Sequence, residues 1–344
     1  MQKIVFTETD IKQVIIHSVG NKLKEDTCLL SNQEVILGGS IMEEHFLKNT
    51  LKPIKNDEFF SFNDVKNNQM YNLIDSMMNE KSFVENSKKI AEHLFEIIDN
   101  PKTQGSQLVI VKYSNVIVDE SNLCSAIGIF KLKTAEKRLV INPKSTRFEV
   151  ELSTSFDLSK IDKGVMIYDY DSENGYLISV FDKHTKSDAT QYWSTKFLDI
   201  VPRTDTVYFT NNALDIVERY VLEGLPEDTK KIDQINFLNN SMGYCLCNEE
   251  FDYNEFANDI FKDASDEFLE YKENYEHDYG LVSKDSFYID KSTVERRAKK
   301  FKTIIKLDDN FDIVVKRNST DMIMHEIDKQ GRKYYKLFYN VEES

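Results

Sequence analysis

The sequence predicts an α+β protein: an N-terminal domain with an antiparallel meander sheet and helices, then a mostly helical C-terminal domain that ends in a small antiparallel sheet. Three observations predict it. Over residues 105–181, apolar and β-branched runs follow one another with only roughly five to ten polar residues between them, too few for the crossover helices that parallel strands need. On either side of that region apolar residues recur at three and four, the helical period. The 344 residues also exceed the roughly 250 at which single cores stop growing, so two domains are expected, 1–203 and 204–344.

In chain order, residues 11–17, a polar turn at Gly20-Asn21 and residues 27–30 read as a hairpin. A helix is expected from about Gln33, passing through Ile36, Ser40 and Glu43 to Phe46 and Leu47. Residues 67–98 carry Met70, Leu73, Ile74 and Met77, then Val84, Ile90, Leu94 and Ile97. These are two amphipathic helices, the second opened by a Ser82-x-x-Glu85 capping box and stopped by Pro101. Strands are expected around 108–111, 116–118, 126–130, 139–141, 148–152, 165–168 and 176–181. The last two are joined by a turn at 171–175 in which Asn174-Gly175 supplies positive φ.

Beyond Pro202 the period becomes helical again. Residues 212–223 stop at Gly224 with Pro226 beyond, Ile235, Leu238, Met242 and Cys245 form a second stripe, Asp252-x-x-Glu255 opens a third helix, and Phe268, Leu269, Tyr271 and Tyr275 mark a fourth. The last helix is expected over 292–306, opened by Ser292-x-x-Glu295, with Val294, Ala298, Phe301 and Ile305 on one face. Strands at 311–316, 322–327 and 333–339, with a turn at Gln330-Gly331, close the chain.

Composition limits the function. Acidic residues occupy the opening segment where a signal peptide needs an apolar core, and no run approaches the roughly 18 apolar residues that span a bilayer, so a cytoplasmic protein without membrane partners is expected. Four scattered cysteines suit a reducing compartment rather than a disulfide framework, and Cys245-x-Cys247 lacks the second ligand pair of a zinc site. No phosphate-cradling G-x-x-x-x-G-K or G-x-G-x-x-G turn is present, so no cofactor is expected.

The formal net charge of −15 repels phosphate backbones unless the cations are segregated. They partly are. Residues 247–285 hold thirteen acids and three bases, whereas residues 291–317 hold nine bases and four acids. Arg296, Arg297, Lys299, Lys300, Lys302 and Lys306 fan over the last helix, and Arg317, Arg332, Lys333 and Lys336 extend the patch if the sheet packs beside it. This is the candidate DNA surface. The acidic block over 249–285 reads either as a solvated helical surface or as a mask over these cations. Lys183, His184, Lys186, Lys196 and Arg203 form a second positive region, around a Tyr192-Trp193 pair whose spacing to Phe197-Leu198 reads as a helix packed on the sheet.

Ile161-Asp162-Lys163-Gly164, the paired strands that follow, Asp182, Tyr192-Trp193 and Phe197-Leu198 resemble the bacterial nucleoid-associated protein family of the NdpA and YejK type. Supporting matches are Ile15-Ile16-His17, Phe256-Ala257-Asn258, Asp308-x-Asn310-Phe311 and Gly331-Arg332-Lys333-Tyr334-Tyr335. The resemblance covers nearly the whole chain. It implies a cytoplasmic, nucleoid-associated protein that binds DNA, duplex foremost, without catalysis, and it brings no catalytic residues. Relatives also occur near defence genes, which implies a role in phage conflict.

Two other readings stay open. One is a protein-interaction module acting on DNA-processing or phage-defence machinery, with a homo-oligomer compatible with either function. The other is a metal-dependent nuclease, for which Asp169-x-Asp171 at a strand end and Glu149-x-Glu151 on a strand are the candidate acid pairs, and both lack the lysine expected two residues on. His17 and His93 lack a recognisable nucleophile partner.

Overall fold

Residues 106–182 form the strands that their apolar runs require, and a nine-stranded antiparallel sheet grows around them. The computed structural model describes the chain except residues 1–3, 55–57, 80–81, 120–121, 133–134, 183–191, 227, 301–302, 308–309, 316–322, 340 and 342–344, together with the side chains of 300, 303–306 and 314–315. Two compact units divide it, Gln2–Arg203 and Thr204–Ser344.

The first unit contains β1 (Ile4–Val5), β2 (Asp10–Val19), β3 (Cys28–Leu29), α1 (Ser40–Leu51), β4 (Phe60–Phe62), α2 (Gln69–Met78) and α3 (Phe83–Ile97). It continues with β5 (Ser106–Val118), β6 (Asn122–Leu132), β7 (Glu136–Pro143), β8 (Phe148–Ser155), β9 (Ile161–Tyr168), β10 (Leu177–Asp182) and β11 (Ile200–Pro202). The sheet order is β11-β4-β10-β9-β6-β5-β2-β3, with β1 added to β5 and every ladder antiparallel. The meander holds for β5-β6 and β9-β10. However, β6 pairs directly with β9, and β7-β8 forms a separate ribbon.

Both faces of the central strands are covered, which is why their sequences run almost continuously apolar instead of alternating. Ile110, Ile127, Ile129 and Val165 meet α2, α3 and a π-helical turn at Trp193–Leu198; Val109, Val111, Tyr113 and Met166 enter a second core on the opposite face. The Phe130 ring lies over two glycines on that second face. A Cβ at Gly128 would come within 2.5 Å of it and one at Gly164 within 2.9 Å, so both positions need glycine to admit the ring.

Two buried ionisable side chains on the first face, Lys112 and His17, each have specific partners. Lys112 Nζ donates to the carbonyls of Met77 (2.9 Å) and Met78 (3.3 Å), placing a cation at the C-terminus of α2, where the helix dipole favours it. The His17 Nδ1 accepts from the Ser31 N–H at 3.0 Å, so its Nε2 carries the proton and lies 2.9 Å from Ser87 Oγ, which itself donates to the Val84 carbonyl. Burial first, and the Lys88 charge second, lower the His17 pKa to about 4. Between that value and the ordinary 6.5 the unfolded chain holds more protons than the folded one. Stability is therefore complete above pH 6.5 and declines toward pH 4, by up to about 3 kcal/mol from this group. Urea unfolding at pH 7 and pH 4.5 is expected to show this loss, and His17→Gln to reduce it; an equal acid loss in the variant would assign it to other groups.

The second unit contains α4 (Thr206–Arg219), α5 (Lys231–Cys247), β12 (Glu250–Asp252), α6 (Tyr253–Ile260), α7 (Ser265–Tyr279), β13 (Ser286–Tyr288) and α8 (Lys291–Lys300). β14 (Thr303–Leu307), β15 (Phe311–Val315), β16 (Ile323–Ile327) and β17 (Lys333–Leu337) follow. Its core is aromatic: Phe251 stacks on Phe287 (5.2 Å between centroids), and Phe268 meets Phe261 (4.6 Å) and Tyr220 (5.2 Å). β12 pairs with β13, β14 with β15 and β16 with β17; Leu307, Ile313, Ile323 and Tyr335 pack against Ile232 and Ile235 of α5.

Several sequence expectations are corrected. The helix expected from Gln33 begins at Ser40, after Gly39 takes φ +101°. Ser82 adopts a left-handed conformation and makes no capping bond, so the Ser82-x-x-Glu85 box does not form. In the 171–175 turn the positive φ values belong to Asp171, Gly175 and Tyr176 rather than to Asn174. The helix expected at 212–223 starts at Thr206, because Asp205 caps it by accepting from the Tyr208 N–H.

Candidate nucleic-acid interface

The proposed basic helix is shorter than its periodicity implied. α8 ends at Lys300, and residues 303–307 form β14, whose Thr-Ile-Ile run of β-branched side chains favours a strand and pairs Ile305 with Ile313. Lys306 therefore lies on a strand and not on the helix, while Phe301, Lys302 and Arg317 lie outside the described residues. The cap also differs. Asp290 Oδ1 accepts from the Thr293 N–H at 2.7 Å and from the Ser292 hydroxyl at 2.8 Å, so Ser292 is a ligand of the cap rather than the cap itself.

Thr293, Val294 and Ala298 are buried, which turns Glu295, Arg296 and Lys299 outward. Lys299 is exposed; Arg296 is half-buried, with a guanidinium nitrogen 3.3 Å from Thr293 Oγ1. Arg297 points the other way, into a pair of carboxylates on α4: 2.6 Å to Asp215 and 2.9 Å to Glu218. A phosphate at Arg297 has to displace both. Lys291 is likewise occupied, donating to the carbonyls of Cys245, Leu246 and Asn248 at the end of α5.

On the last hairpin, the Arg332 backbone N–H and then its side chain hold the Asp328 carboxyl below its ordinary pKa, and the Arg332 guanidinium lies 2.7 Å from it. Lys336 binds Glu326 at 2.7 Å and, with the Tyr334 hydroxyl, lowers that carboxyl too. Lys333 is exposed. Thus the patch read from sequence presents Lys299 and Lys333 outward, keeps Arg296 half-buried beside Thr293, holds Arg332 and Lys336 in surface ion pairs, and closes Arg297 into the fold. The acids that hold Arg297 come from α4, not from the acidic block. Nothing in the sequence separates Arg297 from Arg296 except the helical period, which puts 297 on the same side as 293 and 294.

The remaining candidates take ordinary structural places. Trp193, Phe197 and Leu198 are fully buried, as the core reading expected. Lys183, His184 and Lys186 lie outside the described residues; Lys196 binds Asp99 at 2.6 Å, and Arg203 binds Asp171. Burial pushes the Asp171 carboxyl up, but its hydrogen bonds from Arg203 and Asn174 outweigh this and leave it below the usual range. Burial first, and Asp75 second, hold Asp169 above it. Two carboxyls with opposite shifts, one committed to an arginine, do not make a matched metal pair. Cys245 is buried, with its thiol pushed up to about 12, whereas Cys247 is exposed. The Ser87 hydroxyl donates to Val84 and the His17 Nδ1 accepts an amide proton, so His17 cannot serve Ser87 as a base. Among the described residues no group of three or more metal-ligating side chains occurs, and no helix is long and apolar enough to cross a membrane.

A family model described as nucleoid-associated protein YejK matches residues 15–332. No curated protein matches the chain.

Proposed function

Because the chain belongs to the nucleoid-associated protein YejK family, we propose that it is a non-enzymatic DNA-binding protein of the cytoplasmic nucleoid that contacts the phosphate backbone of duplex DNA with little sequence preference. The family match over residues 15–332 carries this reading. Lys299 and Lys333, with Lys300 next to Lys299 in sequence, are the groups that support it in this chain; Arg296, Arg332 and Lys336 join on exchanging a present contact for a phosphate. Lysine and arginine contacts to phosphates carry no sequence information, so the expected energetics are those of counterion release.

The test is duplex binding over a salt series with two unrelated sequences. Affinity is expected to fall linearly in log-log form, and the double variant Lys299→Glu/Lys333→Glu to flatten the slope by about two units, equally for both sequences. Absence of binding near ~50 mM salt overturns the proposal; an unchanged slope in the variant moves the contact elsewhere.

A further inference from the structure

The ribbon of β7 and β8 departs from the sheet after Leu132 and returns at Ile161, while β6 and β9 pair with each other directly. It is thus not needed to complete the sheet. Its register places Leu139 opposite Leu152, Ile141 opposite Val150 and Pro143 opposite Phe148, all on one face. The other face carries Arg138, Asn142, Glu149 and Glu151 around a single Val140. The apolar face is open to solvent: Leu139 is 68% exposed, Leu152 63%, Ile141 61%, Val150 60% and Phe148 71%. Two-stranded ribbons are marginal in water by themselves, and cross-strand apolar pairs stabilise one mainly when something covers them.

We propose that this face is a self-association surface, covered by the same face of a second copy of the chain packed against it as one sheet layer on another. Two quantities favour a second copy. The five side chains expose roughly 600 Å² between them, so two copies bury ~1,200 Å², the lower bound of a specific interface. The charge is also balanced locally. Residues 136–157 hold four acids and four bases, and Arg138 binds Asp157 at 2.7 Å, Lys160 binds Glu136 at 2.6 Å and Arg147 binds Glu149 at 2.9 Å. Little charge remains to select an acidic or basic partner. A two-fold pairing needs a surface complementary to itself, and a row of apolar side chains with Lys137 alone at its far end meets that need despite the overall −15. DNA is the competing occupant, because β-ribbons do enter grooves behind apolar wedges. Such ribbons are strongly basic, whereas residues 136–157 are neutral overall and the two cations at the tip, Lys144 and Arg147, both pair with Glu149.

Sedimentation equilibrium of the full chain over a concentration series tests this. The parent is expected to dimerise, and Leu139→Glu/Leu152→Glu to raise the dimer Kd at least ~100-fold with an unchanged near-ultraviolet spectrum. Val140→Glu, on the opposite face, is expected to leave the Kd unchanged. If the double glutamate variant does not fold, Leu139→Thr/Leu152→Thr keeps strand-forming side chains and is expected to weaken the dimer in the same direction. A parent that stays monomeric at ~100 μM, or a dimer insensitive to both double variants, overturns the proposal. So does a monomeric parent whose DNA affinity falls in the variants, an outcome that assigns the ribbon to DNA.

Discussion

Trp193→Ala is expected to destabilise the N-terminal unit by about 3–5 kcal/mol, the cost of emptying a large site in a core that cannot collapse around it. The indole is fully buried in the layer between the sheet and α3, its centroid is 4.7 Å from the Phe197 ring, and Phe197 in turn stacks on His93 at 5.7 Å. Removing Trp193 thus takes away a wall of the site that fixes Phe197. Among the described residues the buried indole N–H has no hydrogen-bond partner. Trp193→Phe therefore loses volume but also removes an unsatisfied donor, whose burial costs ~1–3 kcal/mol, and the two effects offset. Urea denaturation followed by circular dichroism should rank the parent and Trp193→Phe close together and Trp193→Ala far below. An alanine variant within about 1 kcal/mol of the parent would remove the residue from the core and reopen base stacking.

Gly175→Ala carries the second large effect, about 2–4 kcal/mol, for a different reason. Gly175 has φ +90°, a conformation that costs an L side chain energy in any surroundings, and an added Cβ would lie 2.7 Å from the Phe62 carbonyl oxygen and 3.0 Å from its amide nitrogen. Both are backbone atoms, and Phe62 is tied to Gly175 by its own N–H···O bond of 2.9 Å, so neither can swing aside. Gly243, in the middle of α5, is the control. A Cβ there meets nothing within 4 Å, and Gly243→Ala should stabilise by about 0.5–1 kcal/mol through helix propensity. Thermal midpoints moving in opposite directions for the two substitutions check the argument; a shared direction would sink it.

The α+β class and the antiparallel sheet were legible because linker length alone excludes crossovers, and the buried runs at 108–111, 126–130 and 165–168 have the length and β-branching of strands. Element ends were less legible. Val294, Ala298, Phe301 and Ile305 fit a helical face, yet the β-branched 303–305 segment pairs with β15, because local strand preference outweighs an apolar spacing that spans the boundary. Capping was misread twice for one reason: an S-x-x-E string shows which residues could bond, whereas Ser82 has the wrong backbone conformation and Asp290 reaches the α8 amides first. In the candidate interface the cations themselves were legible, but not their partners. Asp215 and Glu218 lie about eighty positions from Arg297, and only tertiary structure brings a charge on α4 to a charge on α8. By contrast, the ribbon's apolar face was available as period-two alternation at 139–143 and 148–152, and it passed as two more sheet strands.

The place of β4 in the sheet bears on how the chain is made. Phe60 pairs with Ile178, and Phe62 with Ile200, so this short strand has no neighbour until residue 178 has been synthesised and only one until residue 200. At ~5–20 residues per second that interval is on the order of ten seconds, during which Phe59, Phe60 and Phe62 leave the ribosome before the strands that bury them exist. β2, which precedes β4, has only the two-residue β3 beside it until β5, beginning at Ser106, is made. Loop closures of this length slow folding and expose apolar segments to chaperones. A nascent chain stalled after residue 182 should therefore still be cut by protease near residue 60, and one stalled well past residue 202 should be protected there.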